Sequence, residues 1–216
     1  MITEFSWNHV GLLLAAARWT VLVSLLAFVF GGLAGFIVAL GRTARSPALR
    51  FVTALWIQLV QGTPVLIVLF LSYYGLSVLG LKLSPLVAAT LAMTIYASAY
   101  LGEIWRGCIQ AVPIGQWEAS GALAMTRWQQ LRHVILPQAV RMALPPTVGF
   151  SVQVVKNTSI TSIIGLVELT RSGQLINNAT FQPFQVFVVV ALIYFALCFP
   201  LSTASKRMER KLHAHR

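Results

Sequence analysis

Long apolar stretches alternate with short polar segments along most of the chain. The apolar stretches lie at about 19–40, 51–74, 86–105, 147–169 and 184–201. Each is close to the ~20 residues with which an α-helix crosses a hydrocarbon layer about 30 Å thick. The pattern predicts an all-α integral membrane protein with five transmembrane helices, in a membrane domain over about 19–205.

Two of these stretches carry internal features that limit how they pack. The first contains Gly31 and Gly35 at GxxxG spacing, which permits a close helix contact, and a packing role is the favoured interpretation. The second is interrupted by the sequence QGTP at Gln61 to Pro64. A polar break with a proline is tolerated inside a span where protein or a cavity covers it.

Composition excludes a soluble domain. Hydrophobic residues make up 57% of the 216 residues, charged residues make up 10%, and the mean hydropathy is +0.78. A chain this apolar and this poor in charge belongs to the membrane class. Its net charge of +11 therefore does not indicate nucleic acid as a partner, which the same charge would suggest in a soluble protein.

Basic residues cluster in three segments between or after the spans, and their distribution predicts the orientation. The clusters are Arg42, Arg45 and Arg50; Arg106, Arg127, Arg132 and Arg141; and Lys206, Arg207, Arg210, Lys211 and Arg216. By the positive-inside rule, all three are expected on the cytoplasmic side of the membrane. The N-terminal segment 1–18 is then outward-facing. The basic tail 206–216 is cytoplasmic and is interpreted as a topology anchor in preference to a lipid contact.

A polar segment at 116–137 separates the third and fourth spans and must lie in water. Thr126 followed by Gln129 is a capping-box pattern, so two short helices are expected at about 116–125 and 127–136. Pro137, and then Pro145 and Pro146, are expected to break the helix that follows. The segment predicts a helical hairpin with small residues on its first arm, which is a suitable docking surface for another subunit.

The fourth apolar stretch is unusually polar and includes a lysine. If Pro146 starts this helix at the cytoplasmic surface, Lys156 lies about 15 Å deep, near the middle of the hydrocarbon layer. An ammonium group there must face the bundle interior or water, which favours a role in a solute pathway. The alternative is a buried ion pair with Glu103 or Glu168, or hydroxyl and carbonyl partners that only fix the packing.

Enzyme and metal motifs do not occur in the sequence. It contains no GxxxxGK[ST], HExxH, CxxC or GxSxG pattern, and Cys108 and Cys198 have no metal-like spacing. No catalytic residue, metal site or bound cofactor is therefore expected. Uphill transport would take its energy from a partner or an ion gradient.

The polar segment contains a spaced motif: Glu118-Ala119-Ser120, then Ala124, then Val134, then Leu136-Pro137. This motif resembles the EAA loop of the permease subunits of binding-protein-dependent ABC importers and keeps its spacing. That family has Ala, Gly and Ile where this chain has Ser120, Ala124 and Val134. The wider surroundings resemble the polar amino acid subgroup. They are QGTP at 61–64, EIWRGCIQAVPIGQWEA at 103–119, ILPQAVRMALPP at 135–146 and KNTSITSIIGLVELT at 156–170.

This resemblance implies a type I ABC importer permease fold in a bacterial inner (cytoplasmic) membrane, with a cytoplasmic coupling-helix hairpin between spans three and four. In that family the hairpin sits in a groove of a separate ATP-binding subunit, which uses ATP and Mg²⁺. An external solute-binding protein delivers the substrate, here a polar amino acid, and a second permease subunit, identical or a sister chain, completes the pathway. The coupling residues implied are Glu118, Ala119, Ser120, Gly121, Ala124, Leu136 and Pro137.

The sequence also offers candidate residues for the solute pathway and two alternative functions. Candidate pathway residues are Gln61, Gln153, Lys156, Asn157, Thr158, Ser159 and Glu168. Glu118 could equally serve as a charge favourable to the helix dipole. An ion-coupled secondary transporter and a non-transporting membrane assembly factor are the alternative functions. The identity of the amino acid stays open, because Lys156 could bind the carboxylate that every amino acid carries.

Overall fold

The computed structural model describes residues 4–214, which are helical over most of their length. Its α-helices are Trp7–Thr43 (α1), Pro47–Gln61 (α2), Val65–Phe70 (α3), Leu76–Val78 (α4), Pro85–Gln110 (α5), Ile114–Ala122 (α6), Arg127–Gln129 (α7), Leu136–Asn157 (α8), Leu169–Thr180 (α9) and Pro183–Ala214 (α10). Leu71–Gly75 and Gln130–Ile135 are π-helical, and Thr158–Ile164 is a 3-10 segment. The predicted ends at Met1 and Arg216 lie outside the described residues.

Among the described residues, three helices are individually long and apolar enough to cross a membrane. They are α1, α5 and the Pro183–Leu212 part of α10. Two bent pairs bring the number up to five if each pair is one span: α2 with Val65–Val78, bent by 100°, and Arg127–Ile164 with α9, bent by 51°. The all-helical membrane class is confirmed, and the number of five spans remains a prediction.

The first and last helices extend beyond the predicted spans. α1 begins at Trp7, so most of the predicted N-terminal segment 1–18 is helix continuous with the first span. The backbone N–H of Ser6 donates to Nδ1 of His9 at 3.0 Å, which closes the first turn of this helix. α10 passes through Pro200 and continues to Ala214, so the described part of the tail 206–216 extends the last helix.

Glycines bring α1 and α5 into close contact at the centre of the bundle. A Cβ atom at Gly31 would lie 2.5 Å from Cβ of Ala97, and one at Gly35 would lie 3.0 Å from the carbonyl oxygen of Ser98. Gly102 of α5 is equally constrained by Val38 of α1. The packing role predicted for the GxxxG pair is confirmed.

The QGTP sequence turns the chain instead of merely weakening a straight span. α2 ends at Gln61, and the N–H of Gly62 donates to the carbonyl of Gln58 at 2.8 Å. Pro64 has no N–H to continue the helix and disfavours helical backbone at Thr63. The axis therefore turns by 100° between α2 and the segment that begins at Val65.

The expectation that prolines break the helix after the hairpin is wrong. Helix continues from Arg127 through the π-helical turn into α8, and α8 runs to Asn157 with Pro145 and Pro146 inside it. The N–H of Leu136 donates to the carbonyl of Leu131, and this wide turn leaves room for the ring of Pro137. Polar groups of neighbouring helices compensate prolines in such bundles, and here the hydroxyl of Ser205 donates to the carbonyl of Pro145 at 2.8 Å.

Candidate functional site

The hairpin after α5 consists of α6 and the start of the long helix that leads into α8. α6 ends in a Schellman motif: the N–H of Met125 donates to the carbonyl of Ser120 at 3.3 Å, and the N–H of Ala124 donates to Gly121 at 2.9 Å. This motif requires a left-handed residue, and Ala124 has φ of 55°. The family pattern has glycine at this position, where a left-handed backbone costs least.

The second arm of the hairpin begins at Thr126, as the capping-box pattern predicts. The N–H of Gln129 donates to Oγ1 of Thr126 at 3.4 Å, and the N–H of Thr126 donates to Oε1 of Gln129 at 2.8 Å. The predicted capping box is therefore confirmed. The second arm is not a separate short helix, because it continues into α8.

The two arms are joined to each other and to the bundle. The side-chain amide of Gln138 donates to Oε1 of Gln116 at 3.2 Å and to the carbonyl of Val134 at 2.9 Å. A buried apolar cluster that includes Ile109 and Ile135 fills the base of the hairpin. The hairpin is therefore held in a fixed position at the end of the bundle.

The predicted coupling residues differ in exposure. The exposed residues are Glu118, Ala119, Gly121, Ala124 and Pro137, and Leu136 is half-buried. Ser120 is only 3% exposed, and its hydroxyl donates to the carbonyl of Trp117 at 3.0 Å. Six of these seven positions are therefore open to a partner in the structure, whereas the side chain of Ser120 stabilises the hairpin from inside.

The predicted pathway residues fall into three groups by exposure. Gln61, Gln153 and Lys156 are exposed, Asn157 and Ser159 are half-buried, and Thr158 and Glu168 are buried. Gln153 and Lys156 are three residues apart on α8 and so share a face. Within the described residues, no hydrogen bond joins Gln61 to this face.

Glu168 is fully buried and ties three helices together. Its Oε2 accepts hydrogen bonds from the hydroxyl of Tyr194 at 2.9 Å, the hydroxyl of Thr20 at 3.3 Å and the N–H of Thr170 at 2.9 Å. Its Oε1 accepts from the N–H of Arg171 at 2.8 Å. Glu168 therefore caps α9 and links it to α1 and α10, a structural use of the carboxylate.

The alternative of an ion pair between Lys156 and a glutamate is wrong. Glu103 pairs with Arg106 at 2.5 Å, and Glu168 is occupied by the donors just described. The depth estimate for Lys156 also loses its basis, because α8 does not start at Pro146. Lys156 instead lies in the last turn of α8, where the carbonyl end of the helix dipole favours a cation.

An aromatic cluster beside this end of α8 was not among the predicted site residues. The rings of Tyr96 and Tyr100 on α5 have centroids 4.5 Å apart, and each stacks on Phe150 of α8, at 5.7 and 5.5 Å. The hydroxyl of Tyr96 also interacts with the side chain of Asn157. The polar rings in the third apolar stretch were the signal, but the sequence does not say which helix they face.

Comparison with known proteins gives concordant matches. The chain matches the model of the family described as "Binding-protein-dependent transport system inner membrane component" over residues 31–214. The glutamine transport system permease protein GlnP of Escherichia coli (strain K12) is 32% identical, over 95% of this chain and 95% of GlnP. The L-cystine transport system permease protein TcyB of Bacillus subtilis (strain 168) is 35% identical, over 90% of this chain and 83% of TcyB.

Solved structures agree with these matches. A chain in the crystal structure of an amino acid ABC transporter with histidines superposes with a TM-score of 0.90 at 32% identity, over 98% of this chain and 100% of that chain. An inward-facing structure of the MetNI methionine ABC transporter gives a TM-score of 0.79 at 20% identity, over 96% of this chain and 99% of that chain. The MetNI likeness bears on the fold alone.

Proposed function

Because the chain belongs to the family of binding-protein-dependent transport system inner membrane components, we propose that it is the permease subunit of an ATP-driven importer for a polar amino acid. Its relatives GlnP and TcyB are named for glutamine and L-cystine transport. An external solute-binding protein delivers the amino acid, and a separate subunit hydrolyses ATP. Family membership supports a transport subunit whose ATPase is a separate chain.

The chain is oriented with its hairpin and its basic clusters in the cytoplasm of a bacterial cell and its N-terminus outside. The support is the cluster of Arg42 at the end of α1, Arg45 in the connection and Arg50 in the first turns of α2, together with Arg127 and Arg132 on the hairpin. Basic residues are retained on the cytoplasmic side of such membranes. The hairpin then lies on the same side as the ATP.

The observation that carries the proposed coupling role is the continuous helix from Arg127 to Asn157. Its first turns form one arm of the hairpin, and its last turn carries Lys156. A displacement of the hairpin by the ATPase is therefore passed along hydrogen-bonded backbone to the polar end of α8. On α6, Glu118 presents a carboxylate to a basic group of the ATPase, and the small exposed residues Ala119 and Gly121 let the helix sit deep in a groove.

The pathway is proposed to run along the exposed polar face of α8 that carries Gln153 and Lys156. A lipid-facing ammonium group is costly, so a second permease subunit, identical or a sister chain, covers this face. Lys156 then supplies a positive charge for the carboxylate of the amino acid. The candidate set also includes Gln61, Asn157, Thr158, Ser159 and Glu168. Of these, Thr158 and Glu168 contribute by holding the surrounding helices in place.

ATP-dependent uptake into proteoliposomes tests this function. The chain is reconstituted with its ATPase and solute-binding protein, and uptake of radiolabelled polar amino acids, including glutamine and cystine, is measured with and without ATP. We expect ATP-dependent accumulation of at least one of them. Failure of every polar amino acid to accumulate would overturn the proposal.

The coupling role is tested with Glu118→Lys, and Glu209→Lys, in the exposed tail, is the matched control. We expect Glu118→Lys to weaken association with the ATPase by about tenfold or more, because a charge-assisted hydrogen bond contributes about 1.5–3 kcal/mol. Glu209→Lys should leave association unchanged. Normal association and uptake in Glu118→Lys would show that Glu118 is not part of the coupling surface.

A further inference from the structure

Arginines converge on a cavity at the end of the bundle where α1, α2, α5 and the hairpin meet. The cavity has a volume of about 450 Å³, and its walls include Arg42, Arg50 and Arg127 together with Trp117 and Ile109. The guanidinium carbon of Arg127 lies 3.8 Å from the centroid of the Trp117 ring. Elements that are far apart in sequence therefore present three cations to one space.

One of these cations, Arg42, has a donor that the described residues leave unsatisfied. Nη1 of Arg42 donates to the carbonyl of Arg50 at 3.3 Å, whereas its Nε is buried and has no acceptor among the described residues. Within residues 4–214, the one ion pair joins Glu103 to Arg106, so no carboxylate neutralises the arginines of the cavity. Burial, and then the charge of the nearby Arg45, lower the pKa of Arg127. The positive charge of the cavity is therefore not balanced by a carboxylate of the described residues.

An apolar groove adjoins this basic cavity. It has a volume of about 150 Å³, and Phe36 of α1, Trp105 of α5 and Val140 and Leu144 of α8 line it. Ile109 is part of the wall of both the groove and the cavity. Phe36, Val140 and Leu144 are each more than two-fifths exposed, so the groove opens on the outside of the bundle.

We propose that the cavity and the groove together bind an anionic phospholipid, with its phosphate among Arg42, Arg50 and Arg127 and an acyl chain in the groove. Arg42 follows Phe36 by six residues on α1, which is a rise of about 9 Å along the helix axis. The apolar groove and the arginines are therefore separated along the membrane normal in the same order as the upper acyl chain and the phosphate of a lipid. The site rests on the orientation proposed above, which puts it at the cytoplasmic leaflet. Anionic lipids are the lipids of this leaflet that attract basic segments.

The groove distinguishes a lipid from other anions. A free phosphate or an acidic side chain of the ATPase would satisfy the arginines but would leave the apolar groove unused. A bound lipid fills both and contacts Trp117, one turn before Ser120 on α6. The lipid would then support the hairpin through Trp117 and leave the side chain of Glu118 exposed.

Retention of lipid by the purified complex of this chain with its ATPase tests the proposal. The complex is incubated in detergent with phosphatidylglycerol or phosphatidylcholine, and bound lipid is counted by native mass spectrometry. We expect selective retention of phosphatidylglycerol, lost in Arg42→Gln/Arg50→Gln and kept in the control Arg210→Gln/Lys211→Gln, which removes the same charge from the tail. The expected loss is roughly 25-fold, since each cation near an anionic lipid surface contributes about a fivefold change.

A second variant tests the groove without changing charge. Ala143→Phe fills the groove beside Leu144, and we expect it to release phosphatidylglycerol while the arginines remain. Equal retention in wild type and both variants would overturn the lipid site. So would stabilisation of the complex by glycerol phosphate to the same extent as by phosphatidylglycerol, which would indicate a free anion. Loss of ATPase binding with unchanged lipid retention in Arg42→Gln/Arg50→Gln would assign the arginines to the ATPase instead.

Discussion

The hydroxyl of Tyr194 donates a 2.9 Å hydrogen bond to Oε2 of Glu168 and thereby joins α10 to the N-terminus of α9. Glu168 has no exposed surface, so each of its donors replaces water that the carboxylate has lost. Removing one donor leaves a buried charge under-satisfied, which costs more than the hydrogen bond itself contributes.

Tyr194→Phe is therefore expected to destabilise the chain by about 1–3 kcal/mol. Thermal unfolding of the detergent-solubilised protein measures this change. Tyr74→Phe is the matched control, because Tyr74 is half-exposed and makes ring contacts with Phe70 and Tyr73. Equal stability of the Tyr194 and Tyr74 variants would mean that the carboxylate does not depend on this hydroxyl.

Ala124→Gly is expected to stabilise the hairpin. Ala124 has φ of 55°, a left-handed conformation that costs a non-glycine residue roughly 1–2 kcal/mol. Glycine avoids this cost at C′ of a Schellman motif, whereas Ala122→Gly, in the last turn of α6, should destabilise by about 0.5–1 kcal/mol. Limited proteolysis of the hairpin measures both effects. Faster cleavage in Ala124→Gly than in wild type would contradict the assigned strain.

Gly31→Ala is expected to loosen the contact between α1 and α5. Its Cβ would lie 2.5 Å from that of Ala97, so the helices must move apart at a cost of about 1–3 kcal/mol. Gly11→Ala is the control on the same helix, because nothing lies within 4 Å of a Cβ there. Thermal unfolding should separate the two variants, and a Gly31→Ala protein as stable as Gly11→Ala would show that this contact adjusts freely.

Lys156→Met is expected to reduce uptake while the complex still assembles. The ammonium group is exposed at the end of α8, and its loss removes a charge-assisted contact to a carboxylate, about 1.5–3 kcal/mol or roughly ten- to a hundredfold in kcat/KM. Lys82→Met, exposed in the segment between α4 and α5, is the control. Normal uptake in Lys156→Met would reduce Lys156 to a packing role.

Features set by short-range sequence patterns were predictable. The Thr126–Gln129 capping box follows from residues three apart, and the close approach at Gly31 follows from residues on one helix face. The membrane class follows from apolar stretches long enough to span a bilayer. Each of these depends on groups that are neighbours along the chain.

Features that depend on distant partners were missed. Pro145 and Pro146 indicate a break on their own, but packing against α10 and the hydroxyl of Ser205 keep the helix continuous. The hydrogen bonds of Glu168 were not predicted, because the sequence does not reveal that Thr20 and Tyr194 approach it. The convergence of arginines at one cavity likewise requires the fold.

The 100° turn after Gln61 affects the hydrogen bonding of the backbone at this corner of the bundle. Because α2 ends there, the carbonyls of its last residues, such as Leu59 and Val60, are not paired by a further helical turn. Those carbonyls accept hydrogen bonds from the hydroxyl of Thr63 at 2.7 Å and from its N–H at 3.4 Å. Rotation of the Thr63 hydroxyl would expose the carbonyl of Leu59, so one side chain sets the polarity of this corner without any movement of the backbone.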